Sequence, residues 1–114
     1  MNNFRKEPSR RLVDAATGHG RVHIFEAFID HYQDLLVAAA ISLILQYGER
    51  HENGGFFISN DFFKRKIAFS KDRTRRVLKD LEEDGLIVTK MIKIGDAPRR
   101  CVFVIEERLQ QIYA

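Results

Sequence analysis

The chain has 114 residues, of which 45% are apolar, and a formal net charge of +3 at neutral pH. This length and apolar content are enough to build one hydrophobic core, so we expect a single domain. No apolar run reaches the roughly 20 residues that a membrane-spanning helix needs, and the N-terminal residues have no apolar segment of the kind found in secretory signals. The sequence therefore predicts a cytoplasmic protein that does not associate with membranes.

The positive charge is concentrated in two parts of the chain. Residues 1–21 have five Arg or Lys against two acidic residues, and residues 60–100 have twelve against seven. Residues 22–59, in contrast, have one Arg against five acidic residues. This asymmetry is typical of a polyanion-binding face on a neutral or acidic scaffold, although an ordinary solvated surface gives a similar pattern.

The first predicted segment is a flexible basic arm over residues 1–21, which mix polar, basic and glycine residues without a sustained period. We expect little order before Val22 and one folded domain over residues 22–114. Residues 22–30 fit either a short strand that turns into a helix or a single helical turn.

The clearest predicted helix runs from Asp34 to Tyr47 and ends at Gly48, a natural C-terminal breaker. It is apolar nearly all round, which indicates burial on most sides and a central place in the core. Because so much apolar surface exceeds what one small domain is expected to cover, the sequence also predicts a homodimer.

Helix-capping residues, glycines and turn residues divide the remainder of the chain into elements. A loop over residues 49–55 and a short strand over residues 56–58 precede a second helix, capped by Ser59 or Asn60 and ending near Ala68. A third helix begins after Ser70 and is closed by Gly85. Two β-prone runs, residues 86–94 and 100–105, are separated by the turn residues 95–98 and predict a hairpin.

The third helix has an apolar stripe and a basic face. Its apolar stripe comprises Thr74, Val77, Leu78 and Leu81. Two short helices joined by a tight turn, with the second helix basic on its free face, match the arrangement that places the second helix in the major groove of DNA. The candidate DNA-binding residues of this helix are Ser70, Lys71, Arg73, Arg75, Arg76 and Lys79. A solvated amphipathic helix is the alternative interpretation of the same face.

The predicted hairpin adds a second cationic group, made of Lys90, Lys93, Arg99 and Arg100. A projecting β-arm with these residues would bring positive charge to the phosphate backbone beside the helix. Arginine can bind guanine through two hydrogen bonds, whereas lysine and a helix N-terminus are better suited to phosphates.

The segment from Phe57 to Ile87 resembles the core of bacterial winged-helix domains. The resemblance depends on a Ser-initiated helix that runs through Arg75 and Arg76 to a Leu-Glu-Glu-Asp-Gly-Leu-Ile ending, and it covers roughly residues 34–105. Within that superfamily the hairpin from Lys90 to Pro98 is most similar to those of phage and plasmid replication initiators and small bacterial regulators. Two departures are Ala68, where the family often has glycine, and Lys64, where it often has alanine.

The resemblance implies an α+β fold, a winged helix-turn-helix with a three-helix core, a C-terminal β-hairpin wing and a short third strand. It implies a double-stranded DNA-binding protein of the transcription-regulator or replication-initiation type. Helix 70–84 would read the major groove and the wing over residues 86–105 would contact the backbone. The alternative is a winged-helix adaptor that binds proteins and has no specific DNA binding, since fold does not fix function.

Other function classes find little support in the residues. The four histidines are scattered and lack the additional ligands of a metal site, and Cys101 lies in an apolar run that suits a small hydrophobe. There is no phosphate-cradling glycine loop, nucleophile elbow or isolated carboxylate pair. We therefore expect no enzyme activity, no cofactor, no metal and no small-molecule ligand.

Overall fold

The computed structural model describes residues 9–18 and 20–114. Within these ranges the chain is α+β, which confirms the predicted class, with its strands in one antiparallel sheet of order β1-β2-β4-β3. The elements are α1 (Arg10–Gly18), α2 (Glu26–Tyr32), α3 (Leu35–Tyr47), β1 (Glu49–Arg50), β2 (Phe56–Phe57), α4 (Asn60–Ile67), α5 (Lys71–Glu83), β3 (Ile87–Ile94), β4 (Ala97–Val104) and α6 (Glu106–Tyr113).

Side-chain caps begin α3, α4 and α5, and those of α4 and α5 are at predicted residues. The Asp34 carboxylate accepts hydrogen bonds from the first turn of α3, Ser59 Oγ accepts from Phe62 N at 3.1 Å, and Ser70 Oγ accepts from Arg73 N at 3.1 Å. Each cap satisfies a backbone donor that the helix itself leaves unpaired. Of the two candidates for the N-cap of α4, Ser59 is the residue that caps the helix.

The core is built around α3, whose residues 37–44 are all buried. Helices α2 and α5 pack against it. The remaining core side chains come from the sheet, from Phe63 of α4, and from the connecting residues Ile58, Phe69 and Leu86. The apolar surface of α3 is thus covered within one chain, and its exposed apolar side chains lie only at its ends, at Leu35, Leu36 and Tyr47. The premise of the predicted homodimer therefore does not hold, and the homodimer itself stays a prediction.

Three elements differ from the sequence expectation. Helix α1 occupies part of the segment where little order is expected, and residues 1–8 of that arm lie outside the described residues. The two-residue strand β1 falls within the predicted loop. Helix α6 was not predicted; it packs on α2 and places Leu109 and Ile112 against the core.

The hairpin turn is tighter than expected. Only Gly95 and Asp96 form it, with Gly95 at φ +62°, and Ala97 and Pro98 already belong to β4. A two-residue turn with positive φ matches the right-handed twist of the strands. Pro98 is tolerated because β2 pairs only with Cys101 and Val102, so no second ladder needs its missing N–H. Within the described residues, no helix is long and apolar enough to cross a membrane.

Candidate functional site

The α4–α5 pair is held by its aromatic side chains. Phe63 and Phe69 are buried and stack with ring centroids 6.1 Å apart and planes only 11° from parallel. Between the helices Ala68 has φ +56°, the left-handed conformation that glycine adopts most readily, and its N–H donates to Lys64 O at 3.0 Å. An alanine thus makes this turn in a conformation that glycine adopts more readily.

The buried stripe of α5 is the predicted one, with Thr74, Val77, Leu78 and Leu81 inward. Arg75, Arg76 and Lys79 are exposed on the other side of the helix. Ser70, Lys71 and Arg73 are exposed at its N-terminal end. Arg75 Nη2 lies 3.1 Å from Asp72 Oδ1, but both side chains are more than three-quarters exposed, so this pair adds little stability and leaves the guanidinium accessible.

The register of the hairpin separates the four predicted cations into two pairs. Met91 is opposite Arg100 and Lys93 is opposite Pro98, so Lys93 and Arg100 lie on one face of the sheet. Lys90 and Arg99 lie on the other face. The four residues were predicted as one cationic group on the hairpin; the structure divides them between the two faces of the sheet, and their contact with DNA stays a prediction.

The face with Arg100 is the one that meets α5. A cleft of about 390 Å³ lies between the helix and the hairpin, and the cations Arg75, Lys79 and Arg100 line it together with Leu78, Glu82 and Thr89. The structure therefore brings predicted residues of the two elements together in one cleft. A second depression, of about 410 Å³, continues along α5 and is lined by Asp72, Arg75, Arg76 and Lys79.

Arg100 is the most constrained of these cations. Its Nη1 donates to Asn60 Oδ1 at 2.9 Å, and it has no ion-pair partner within the part of the chain that the structure describes. Burial lowers the pKa of the guanidinium, which nevertheless stays charged at neutral pH. Arg100 therefore holds a partly desolvated positive charge where α4, α5 and the hairpin converge.

On the opposite face the cations have structural partners. Arg99 Nη2 lies 3.1 Å from Glu49 Oε2, and the guanidinium carbon lies 4.5 Å from the centre of the Phe57 ring. Lys90 Nζ lies 5.8 Å from the Phe103 ring centre. Cys101 is fully buried on this face, where burial raises its thiol pKa.

Acidic residues at the C-terminal end of α5 oppose the helix dipole, and the structure shows what binds them. Glu82 Oε1 accepts from Thr89 N at 3.0 Å. Asp84 accepts from Tyr32 at 3.0 Å and from Arg108 at 2.8 Å, while His31 Nε2 lies 3.2 Å away. These acids therefore link α5 to the sheet, α2 and α6.

The pKa of the Asp84 carboxyl reflects two opposing effects. Burial raises it, but the hydrogen bonds from Arg108, Tyr32 and His31 together outweigh burial and hold it below its ordinary value. Burial and the hydrogen bond to Asp84 raise the pKa of Tyr32, so the phenol stays neutral. This cluster is a structural junction between α2, α5 and α6.

Sequence reasoning missed three further cations. Arg21, Arg65 and Lys66 line a depression of about 250 Å³ beside the last turn of α4. The available signal was the Lys64-Arg65-Lys66 run, but nothing in the sequence places Arg21 beside it. Within the described residues, no group of three or more His, Cys, Asp or Glu could hold a metal ion.

No family model, curated protein or solved structure matches the chain significantly.

Proposed function

We propose that the chain is a winged helix-turn-helix protein that binds double-stranded DNA, of the transcription-regulator or replication-initiation type. In this proposal α4 and α5 form the helix-turn-helix, and α5 enters the major groove. The β3–β4 hairpin is the wing and contacts the phosphate backbone. The observation that carries the proposal is the cleft in which Arg75 and Lys79 of α5 meet Arg100 of the hairpin.

The positions of the cations suit some of them to base contacts and others to phosphate contacts. Arg75 and Arg76 are exposed on the free face of α5, where a guanidinium can bind guanine through two hydrogen bonds. Lys71, Arg73 and Lys79 flank them and are suited to phosphates, as is the N-terminus of α5 at Ser70. Arg100 and Lys93 extend the positive surface onto the hairpin.

The first test is the affinity for a generic DNA duplex over a salt series from roughly 50 to 200 mM, comparing the native chain with Arg75→Ala/Arg76→Ala. The control is Arg50→Ala, which removes an exposed arginine on β1. We expect steep salt dependence for the native chain. Each lost phosphate contact reduces the slope of log K against log salt by about 0.9, and lost base contacts lower the affinity at every salt concentration.

The adaptor alternative has an observation of its own. Val88, Met91 and Ile94 of the hairpin are large hydrophobic residues with 41%, 64% and 40% of their surface exposed. A protein partner could cover such residues. If the native chain does not bind duplex, or if the native chain and the Arg75→Ala/Arg76→Ala variant bind equally weakly, the adaptor function replaces DNA binding.

A further inference from the structure

A second group of cations lies at the end of α4 that is remote from Arg100. Arg100 contacts Asn60 at the start of α4, whereas Arg65 and Lys66 belong to its last turn. Together with Arg21 they line a depression of about 250 Å³, with Gly20 and Val22 completing it. Two segments that are distant in sequence thus contribute positive charge to one concave surface.

The position of Arg21 is fixed by the end of α3. Tyr47 donates its hydroxyl hydrogen bond to the Arg21 carbonyl oxygen. Two residues later, His23 N donates to Gln46 Oε1 at 3.1 Å, and Gln46 Nε2 donates back to the His23 carbonyl. The segment before α2 is therefore attached to the last turn of α3.

The same tyrosine also holds Lys66, whose Nζ lies 4.5 Å from the centre of the Tyr47 ring. An ammonium group over an aromatic face is attracted by the ring quadrupole and keeps its charge. Tyr47 thus holds the Arg21 backbone through its hydroxyl and the Lys66 ammonium through its ring. The Arg21 backbone and the Lys66 ammonium are therefore positioned before any ligand binds.

Little in the described part of the chain neutralises this group. Neither Arg21 nor Lys66 has an ion-pair partner there. Arg65 lies 2.8 Å from Asp61 one turn earlier, but both side chains are more than two-thirds exposed, and such pairs are weak. Positive charges gathered in a concave surface with so little compensation attract anions.

The depression is also close to α5. Lys66 precedes Ser70, the N-cap of α5, by only four residues, which span at most about 14 Å. A duplex that receives the N-terminal half of α5 in its major groove has its phosphate backbone at that distance. The depression is therefore within reach of the backbone that would flank the groove.

We propose that Arg21, Arg65 and Lys66 form a second phosphate-binding site that contacts the DNA backbone beside the N-terminal end of α5. This inference rests on the proposed function, because the ligand is the same duplex. The phosphates bind the three side chains directly, and Tyr47 is a positioning residue.

The test measures the salt dependence of duplex binding by Arg21→Gln/Lys66→Gln. Glutamine removes the charge, and its stem can still cover the Tyr47 ring. The control Arg50→Gln/Lys64→Gln removes the same charge from exposed residues that do not line the depression. We expect the site variant to have a slope shallower than that of the native chain by about 1.8, and the control to change little.

Two further variants separate loss of charge from loss of structure. Lys66→Arg keeps the charge and should keep the native slope. Tyr47→Phe keeps the net charge but removes the hydroxyl that holds Arg21, and should weaken binding. Circular dichroism and thermal unfolding of each variant verify that the fold is retained.

The outcomes distinguish this inference from the proposed function. If Arg75→Ala/Arg76→Ala loses binding but Arg21→Gln/Lys66→Gln matches its control, the second site is wrong and the proposed function stands. If only Arg21→Gln/Lys66→Gln loses binding, the second site stands and the role of α5 is wrong. A native chain that does not bind duplex overturns both.

Discussion

At the residue scale, Asp84 shows why local sequence rules alone misjudge this chain. A carboxylate at the C-terminal end of a helix is unfavourable by the helix dipole. Here it accepts hydrogen bonds from Tyr32 of α2 and Arg108 of α6, and Arg108 Nε also donates to the Asp84 carbonyl oxygen at 3.2 Å. These partners are 52 and 24 residues away in sequence, so no local pattern could have identified them.

Asp84→Asn should destabilise the fold in a pH-dependent manner. Because the pKa of Asp84 is lowered in the folded state, the unfolded chain binds more protons in the acid range, and the carboxylate contributes stability above its unfolded pKa. That contribution is lost as the pH falls through the folded pKa. Hydrogen bonds to charged groups contribute about 1.5–3 kcal/mol. We therefore expect urea unfolding at neutral pH to show a free energy of unfolding lower by about that amount for Asp84→Asn than for the native chain.

The matched control is Asp61→Asn, which removes an exposed carboxylate paired with Arg65. We expect it to change the free energy of unfolding by less than about 1 kcal/mol. If Asp84→Asn matched this control at neutral pH, or if its deficit persisted undiminished at acid pH, the role assigned to the Asp84 carboxylate would be wrong.

At the element scale, residues that cap helices or form turns made most of the fold predictable. Asp34, Ser59 and Ser70 cap α3, α4 and α5 as their residue types predict, because a cap acts on backbone groups two or three residues away. Helix α6 was missed because neither Ile105 nor its neighbours provide a side-chain cap. Tertiary contacts hold α6 in place, made by Leu109, Ile112 and the Phe28–Tyr113 ring pair.

The turn between α4 and α5 predicts whether substitutions at Ala68 raise or lower the stability of the fold. Ala68 has φ +56°, a conformation that costs an L-residue roughly 1–2 kcal/mol, whereas glycine loses about 0.5–1 kcal/mol through its greater freedom when unfolded. Ala68→Gly should therefore stabilise the chain by up to about 1.5 kcal/mol. Ala68→Val should destabilise it, because a β-branched residue fits this region worse.

Thermal unfolding of the three proteins gives the test, with the expected order glycine, alanine, valine from most to least stable. Gly18→Ala is a useful reference, because an added Cβ there meets nothing within 4 Å and the residue has no positive φ. An unfolding midpoint for Ala68→Gly below that of the native chain would show that the turn is not strained.

At the scale of the whole molecule, the charge asymmetry of the sequence becomes a spatial arrangement. The segment 60–100, with its excess of basic residues, contains both α5 and the hairpin. The apolar segment 37–44 forms the buried part of α3, the helix against which α5 packs. The sequence placed cations of α5 on the free face of their helix, but the hairpin cations were not divided between the two faces of the sheet. The division of Lys90 and Arg99 from Lys93 and Arg100 depends on strand register, and the site around Arg21 depends on the packing of a distant segment on Tyr47.

The central claim is that α5 and one face of the hairpin act as a single DNA-binding surface. Lys93 and Lys90 test it most directly, because both are exposed lysines of β3 that lie on opposite faces of the sheet. The measurement is the salt dependence of duplex affinity for Lys93→Gln and Lys90→Gln. We expect a slope shallower by about 0.9 for Lys93→Gln and a native slope for Lys90→Gln. Equal effects of the two substitutions, or a larger effect of Lys90→Gln, would contradict it.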